Sequence, residues 1–425
     1  MNSISTLFFH IYNNKKLILI SIFIFSLLVS SFYLIFLKNI GPKEHQIPGT
    51  DYLGYYEPVA ESISQGKGIP IKEEIAIRYP IGYPLILSGL FSFSRFLGLE
   101  KSVTIFVFNV FITAFATCFL FLFVKSIFNK KIALISAILW ASYPFNQWLT
   151  KNPNTEVPFI LLFYIALWQY VLGIKRHSLK FFFISGTLIG FVSLIRPISI
   201  FLPFPLAILV FFLIKQSTLK QKLIFSFSLL IAYILVISPW IIYVYLNTGR
   251  LIPLSTGGPP SIYGGLTMMI SEPKEKGKVI LPEDVINLIN ELKARDMESF
   301  KDIFRSLLEK LVNKPIVFLK LIGIKMTRAW YATSETWWEK EILLVQLFYL
   351  IPGIIGLLSS FKKFKEEIPY LLLLLIIIIY FWLVTIIGLS ILRYMIPVMG
   401  ILMIFSAITV NTIMNKLIKS SQYES

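Results

Sequence analysis

Residues 15–37 read KKLILISIFIFSLLVSSFYLIFL, two lysines followed by 21 uncharged, mostly apolar positions. Crossing the hydrocarbon core of a bilayer takes about 20 such residues. A signal-peptide core is shorter, about 7–15 residues, and closes on small residues. This run closes on Phe32-Tyr33-Leu34-Ile35-Phe36-Leu37 and so reads as an uncleaved first span. Further apolar runs follow at 102–124, 132–149, 156–173, 181–196, 199–214, 223–246, 342–360, 368–389 and 394–414. The chain of 425 residues is 56% hydrophobic and 15% charged, with mean hydropathy +0.75. Soluble domains carry about 25% charged residues. The fold class expected is therefore an all-α polytopic membrane protein with about ten transmembrane helices, the shorter ones packed against protein or thinning the bilayer.

The basic residues orient these spans. With both termini inside, the inner segments are 1–16, 125–131, 174–180, 215–222, 361–367 and 415–425, and they hold 16 Lys/Arg in 56 residues. Only Glu366, Glu367 and Glu424 are acidic there. Lys and Arg concentrate in cytoplasmic loops, so the expectation is an integral protein of the cell (inner) membrane with cytoplasmic termini. Residues 83–98 are apolar enough to suggest another span, but counting them would put Lys125, Lys130 and Lys131 outside. They read instead as an interfacial helix of the first outer loop. Three stretches result: a membrane module at 1–246 that includes the outer loop 38–101, an extracytoplasmic and largely helical segment at 247–341, and transmembrane helices at 342–425. Within the middle stretch, Pro282-Glu283-Asp284 opens a helix. Phe300, Ile303, Phe304, Leu307, Leu308 and Leu311 repeat at helical spacing. Residues 315–331 gather Lys320, Lys325 and Arg328 within an arc of roughly 140°, which suggests an interfacial helix with its charges in the headgroups.

Several function classes fall away. The single cysteine, Cys118, forms no intramolecular disulfide and no cysteine metal cluster. The three histidines, His10, His45 and His177, are scattered. The net charge of +17 comes from residues that punctuate apolar spans. Attraction to membrane lipids explains it better than nucleic-acid binding, which needs a continuous basic patch.

Asp51 is the only aspartate before Asp284. Locally it reads as the N-cap of a helix at 52–65 that ends at Gly66 and Gly68. The residues further on argue for more. Arg78-Tyr79-Pro80 leads into the interfacial helix, Glu156 opens a span after Asn154-Thr155, and Arg196-Pro197 and Arg393-Tyr394 stand at outer span ends. Any one of these arginines could be a snorkelling anchor. Two acids and several arginines converging on one membrane face form a candidate reaction site.

In this order the pieces resemble the GT-C superfamily of membrane glycosyltransferases, in particular relatives of the dolichyl-phosphate-mannose protein mannosyltransferases and of the lipid A aminoarabinose transferase. The pieces are Asp51 with Tyr55 or Tyr56, Ala60 and Gly66-Lys67-Gly68; Pro80 with Tyr83-Pro84-Leu85; Thr155-Glu156; Arg196-Pro197; Ser238-Pro239-Trp240 with Asn247-Thr248-Gly249; and Arg393-Tyr394 with Pro397. Asp51 is followed by Tyr52, where many relatives carry a second acid. The resemblance implies a GT-C-like helix bundle and a polyprenyl-phosphate-sugar donor. It implies a lipid, glycan or protein acceptor and inverting transfer at the extracytoplasmic face. By position Asp51 is the expected base and Glu156 a second acid that orients the acceptor or assists proton removal. Arg78 and Arg393 are the expected phosphate clamps, supported by Tyr79, Arg196 and Tyr394. No cofactor is required by the sequence. Related enzymes allow a divalent cation between Asp51 and Glu156, but two carboxylates without a histidine give a weak metal signal. A transporter or flippase would line a mid-membrane route with charges and often repeat its topology; no repeat is seen here. A ligase or polymerase of lipid-linked glycans would also need outer arginines, but the ordered set favours monosaccharide transfer.

Overall fold

The computed structural model describes residues 14–37, 49, 51–71, 77–267, 281–295, 297, 299–334, 336 and 338–423. The expected inner segment before Asn14, the 38–48 part of the first outer loop and the 268–280 part of the second lie outside the described residues, as do His10, His45 and Glu424. Every regular element among the described residues is helical. In chain order these are α1 Lys15–Leu37, a π-turn Tyr52–Tyr56 continuing into α2 Glu57–Ser64, α3 Gly82–Leu97, α4 Lys101–Ile127, α5 Lys130–Ala141, α6 Pro144–Thr150, α7 Glu156–Arg176, α8 Leu179–Ile195, α9 Pro203–Leu213 and α10 Leu219–Thr248. Then come α11 Gly258–Thr267, α12 Glu283–Lys293, α13 Phe300–Asn313, α14 Pro315–Arg328, α15 Glu339–Lys363, α16 Ile368–Ile387 and α17 Leu392–Tyr423.

Among the described residues, α1, α4, α7, α10, α15, α16 and α17 are long and apolar enough to cross a membrane. The other three expected spans correspond to shorter helices. Two of these are α8 and α9, separated at Arg196-Pro197, where proline disfavours helix in the residue before it. The third, 132–149, is broken into α5 and α6 ahead of Pro144 for the same reason. The first span docks along α4, where Ser26 and Thr117 share a hydrogen bond of 3.2 Å and the rings of Phe23 and Phe115 lie 4.9 Å apart. The helices α8 and α10 approach each other closely. A Cβ on Gly186 would collide with the Leu229 carbonyl and one on Gly190 with Val236. The Gly-x-x-x-Gly spacing lets the two backbones meet, as small residues do between membrane helices.

The basic connectors share one end of the bundle. Phe128 packs its ring 5.2 Å from that of Phe364, Lys131 donates to Asn415 at 2.9 Å, His177 bonds Ser217 at 2.9 Å, and Lys175 lies 5.4 Å from the Tyr370 ring centre. The opposite end carries Asp51, Glu156, Arg196 and Arg393. There α3 lies with Tyr83, Leu87 and Phe91 buried and Leu85, Phe93, Phe96 and Leu97 exposed, a two-sided pattern of the kind an interfacial helix carries.

The stretch after α10 departs from its sequence reading. Lys325 and Arg328 of α14 are buried and face protein instead of headgroups. Lys325 donates to the carbonyls of Gly265 and Gly388 at 2.7 and 2.9 Å, and Arg328 makes a two-pronged pair with Glu339 at 2.8 Å. The apolar stripe of α13 is only partly covered: Ile303 is buried, whereas Phe300, Phe304, Leu308 and Leu311 remain exposed.

Candidate active site

Asp51 begins the helical segment of the first loop, with helical backbone angles and no capping hydrogen bond from its side chain. The local N-cap reading therefore fails: a cap needs an extended residue whose side chain turns back onto the helix. The carboxylate is exposed, and its partner is the Tyr79 hydroxyl, which donates to Oδ1 at 2.5 Å. Tyr79, expected to support a phosphate clamp, has its hydroxyl on this acid. Its own carbonyl accepts from the Tyr55 hydroxyl at 2.6 Å. The rings of Tyr55, Tyr56 and Tyr79 pack within 5.1–5.2 Å of one another, and Tyr83 adds an edge 5.1 Å from Tyr56. The π-turn at Tyr52–Tyr56 presents Tyr55 and Tyr56 to this cluster; such turns are frequent at functional sites. Burial pushes all of these phenols above the ordinary tyrosine range. The neighbouring Asp51 charge adds to this for Tyr56 and Tyr79. They remain protonated donors.

Arg78 is exposed, its guanidinium carbon 5.9 Å from the Tyr79 ring centre. The backbone here is strapped from afar. Thr256 N–H donates to the Ile77 carbonyl at 2.9 Å and Gly257 N–H to the Arg78 carbonyl at 3.1 Å. A Cβ on Gly257 would lie 2.7 Å from that carbonyl oxygen, so the close approach requires glycine.

The second half of the site is built at three helix ends. Glu156 is the first residue of α7, where the helix dipole favours a carboxylate. Asn109 steadies the preceding loop by donating to the Thr150 and Asn152 carbonyls at 3.3 and 3.0 Å. Glu156 has 0% exposure, and Arg196 and Arg393 both ion-pair with its Oε1. Its Oε2 accepts from Arg393 Nη2 at 3.0 Å and from Thr155 at 3.2 Å. Arg196 caps α8 in an extended conformation forced by Pro197, also donates to Thr155 at 3.2 Å, and lies over the Tyr394 ring at 5.0 Å. Arg393, near the start of α17, reaches Asn154 at 3.3 Å and keeps 36% of its side chain exposed. Tyr394 lies within electrostatic reach of both Asp51 and Glu156.

The residues singled out in the sequence thus form two groups, Asp51–Tyr79–Arg78 and Glu156–Arg196–Arg393, with Tyr394 packed against Arg196 in the second. Glu156 is not placed as an acceptor-side acid, because burial and two guanidiniums occupy it fully. The donor set does not fit a divalent cation shared with Asp51 either, since both Glu156 oxygens already serve the arginines. No group of three or more His, Cys, Asp or Glu suited to a metal occurs among the described residues. Formal charges of three arginines, Asp51 and Glu156 leave the constellation at about +1, suited to an anion. Asn154 and Thr155 stand in the sequence motifs but receive no role from them. Their partners lie 41 to 239 residues away, beyond any local pattern.

Residues 80–243 match the family described as dolichyl-phosphate-mannose-protein mannosyltransferase. The chain is also similar to the archaeal oligosaccharyltransferase AglB from Archaeoglobus fulgidus in complex with an inhibitory peptide and a dolichol-phosphate. That likeness has 14% identity and a TM-score of 0.57, and covers 96% of this chain and 52% of that one. A second Archaeoglobus fulgidus oligosaccharyltransferase structure, tethered to an acceptor peptide containing the NVT sequon, matches with 14% identity and a TM-score of 0.59, covering 95% and 50%. The chain therefore spans about half the length of these relatives. At such identity the likeness shows a shared fold. No curated protein matches the sequence.

Proposed function

We propose that this chain, which has the fold of the GT-C superfamily of membrane glycosyltransferases, moves a monosaccharide from a polyprenyl-phosphate-sugar to a lipid, glycan or protein acceptor at the extracytoplasmic face. The observation that carries the reading is the exposed Asp51 carboxylate, held by Tyr79 on the same bundle end as a net-positive arginine cluster. The dolichol-phosphate bound to AglB supports a lipid-phosphate donor. The gathering of basic connectors at the opposite bundle end supports an outward-facing site.

In this proposal the donor's tail stays in the bilayer and its phosphate meets the exposed edges of Arg78 and Arg393. The acceptor hydroxyl oxygen attacks the anomeric carbon from the opposite side. As that bond forms, the bond from carbon to phosphate oxygen breaks, its electron pair leaves with the phosphate, and the hydroxyl proton passes to Asp51. The arginines stabilise the phosphate as its charge grows, and their forked geometry suits two oxygens at once. Glu156 is a positioning residue: it holds Arg196 and Arg393 in place without touching substrate. The test is mass spectrometry of lipids and surface glycans from cells lacking the gene and from cells restored with the wild-type gene. Accumulation of a polyprenyl-phosphate-sugar with loss of one sugar from a glycan, both reversed on restoration, supports the reading. Unchanged lipids and glycans under confirmed expression would end it.

A further inference from the structure

A groove of about 500 Å³ opens between α9 and α16 at the basic end of the bundle. Its walls are apolar, with Ile208 and Phe212 on one side and Leu372 and Ile376 on the other. At its mouth stand Lys215, just past the end of α9, and Lys365, just before α16. Both lysines are exposed, and neither has an ion pair or hydrogen bond among the described residues. Glu366 and Glu367 follow Lys365 in the chain but do not line the groove, so the charge facing it is positive.

We infer that this groove is a binding site for one anionic glycerophospholipid of the leaflet on the basic side, its acyl chains between α9 and α16 and its phosphodiester between Lys215 and Lys365. An apolar slot open between two apolar helices, with large apolar side chains exposed along it, admits chains sideways from the bilayer. Two cations with no protein partner, one on each wall, complement a single phosphate. The volume is within the range of ligand pockets. Distance argues against the sugar-donor lipid as occupant. The 20 residues of α16 span roughly 30 Å at ~1.5 Å rise, and Arg393 lies just beyond their far end. A lipid whose phosphate sits at Lys215 and Lys365 is therefore a membrane thickness away from the arginine cluster. The inference does not depend on the proposed reaction. The bound lipid would act as a wedge that holds α9 against α16.

The experiment is native mass spectrometry and thermal unfolding of the intact purified chain in detergent. It is titrated with phosphatidylglycerol or with phosphatidylcholine of the same acyl chains. The expected result is retention of one phosphatidylglycerol at a concentration at least five-fold below that needed for phosphatidylcholine, with a raised unfolding temperature. Lys215→Gln/Lys365→Gln should bind both lipids equally. Ile376→Trp, which fills the groove and leaves the lysines, should bind neither well, so the inference stays testable should one variant fold poorly. Equal retention of the two lipids by the wild type would overturn it, as would a preference for phosphatidylglycerol that persists in the double variant. Displacement of phosphatidylglycerol by an equimolar polyprenyl monophosphate would reassign the groove to the carrier lipid and overturn it as well.

Discussion

Substituting Glu156→Gln perturbs the most buried charge at the site. The wild-type carboxylate receives both guanidiniums and the Thr155 hydroxyl. A glutamine keeps one oxygen acceptor and turns an amide N–H₂ toward groups that are themselves donors. Arg196, whose side chain is 8% exposed, is then left without a counter-charge. Breaking a buried ion pair by removing one partner costs about 3–5 kcal/mol. Arg393 softens the loss on its own side, because its exposed edge can turn to water. Removing Arg196 alone should cost less, about 1–3 kcal/mol, since Glu156 keeps Arg393. In Glu156→Gln/Arg196→Gln the two losses should not add: the double variant should fall short of the summed single costs by at least 1 kcal/mol, in the range for coupled neighbours. The assay is reversible denaturant unfolding of purified protein in a constant detergent, read by tryptophan fluorescence. If Glu156→Gln lies within 1 kcal/mol of wild type, or if the costs add, the carboxylate is not the shared counter-ion of the two arginines.

Three further outcomes follow from the same geometry. Tyr79→Phe removes the hydrogen bond to Asp51, worth about 1.5–3 kcal/mol for a charged acceptor. Turnover should fall roughly 10–100-fold with donor KM unchanged, and a change confined to KM would return Tyr79 to the phosphate. Gly257→Ala forces the strap off the Arg78 carbonyl, so steady-state kinetics should show donor KM rising several-fold; an unaltered KM would mean that the strap does not set Arg78. Burial lowers the Lys325 amine to about 7 from its ordinary 10.5. Below about 7 the amine is charged in both folded and unfolded chains, and the full cost of burying that charge applies. Between about 7 and 10.5 the unfolded chain binds more protons, so stability should rise with pH by about 1.4 kcal/mol per unit. Lys325→Met should abolish that rise between pH 7 and pH 9 in the same unfolding assay; an identical slope in the variant would contradict it.

What the sequence conveyed, and what it did not, divides along a physical line. The grouping of the basic connectors at one bundle end was readable because charge excluded from lipid must fall between spans. The candidate site residues could be chosen for the same reason, as polar residues at span ends have few places to go. The helix count was harder, because Pro144 and Pro197 cut apolar runs into pieces whose lengths do not declare whether they cross. Direction was hardest. The helical wheel of 315–331 placed Lys320, Lys325 and Arg328 on a common arc but could not say which way it faced. Lys320 stays exposed beside Asp284, and the inward orientation of Lys325 and Arg328 depends on the Gly265 and Gly388 carbonyls and on Glu339, acceptors supplied by other elements. Glu156 shows the same limit. An acid at a helix start reads as a reactive group until two arginines from α8 and α17 are found on it.

In the proposed reaction Asp51 takes the acceptor proton. Purified wild type and Asp51→Asn should be compared in single-turnover transfer from a saturating polyprenyl-phosphate-sugar, with donor binding measured in parallel. The donor and acceptor are those identified by the lipid and glycan comparison. Loss of a positioned base should slow transfer by about 10²–10⁴-fold while the variant folds, inserts and binds donor as wild type does. Transfer by Asp51→Asn at the wild-type rate would contradict the account and leave the exposed carboxylate without a catalytic part.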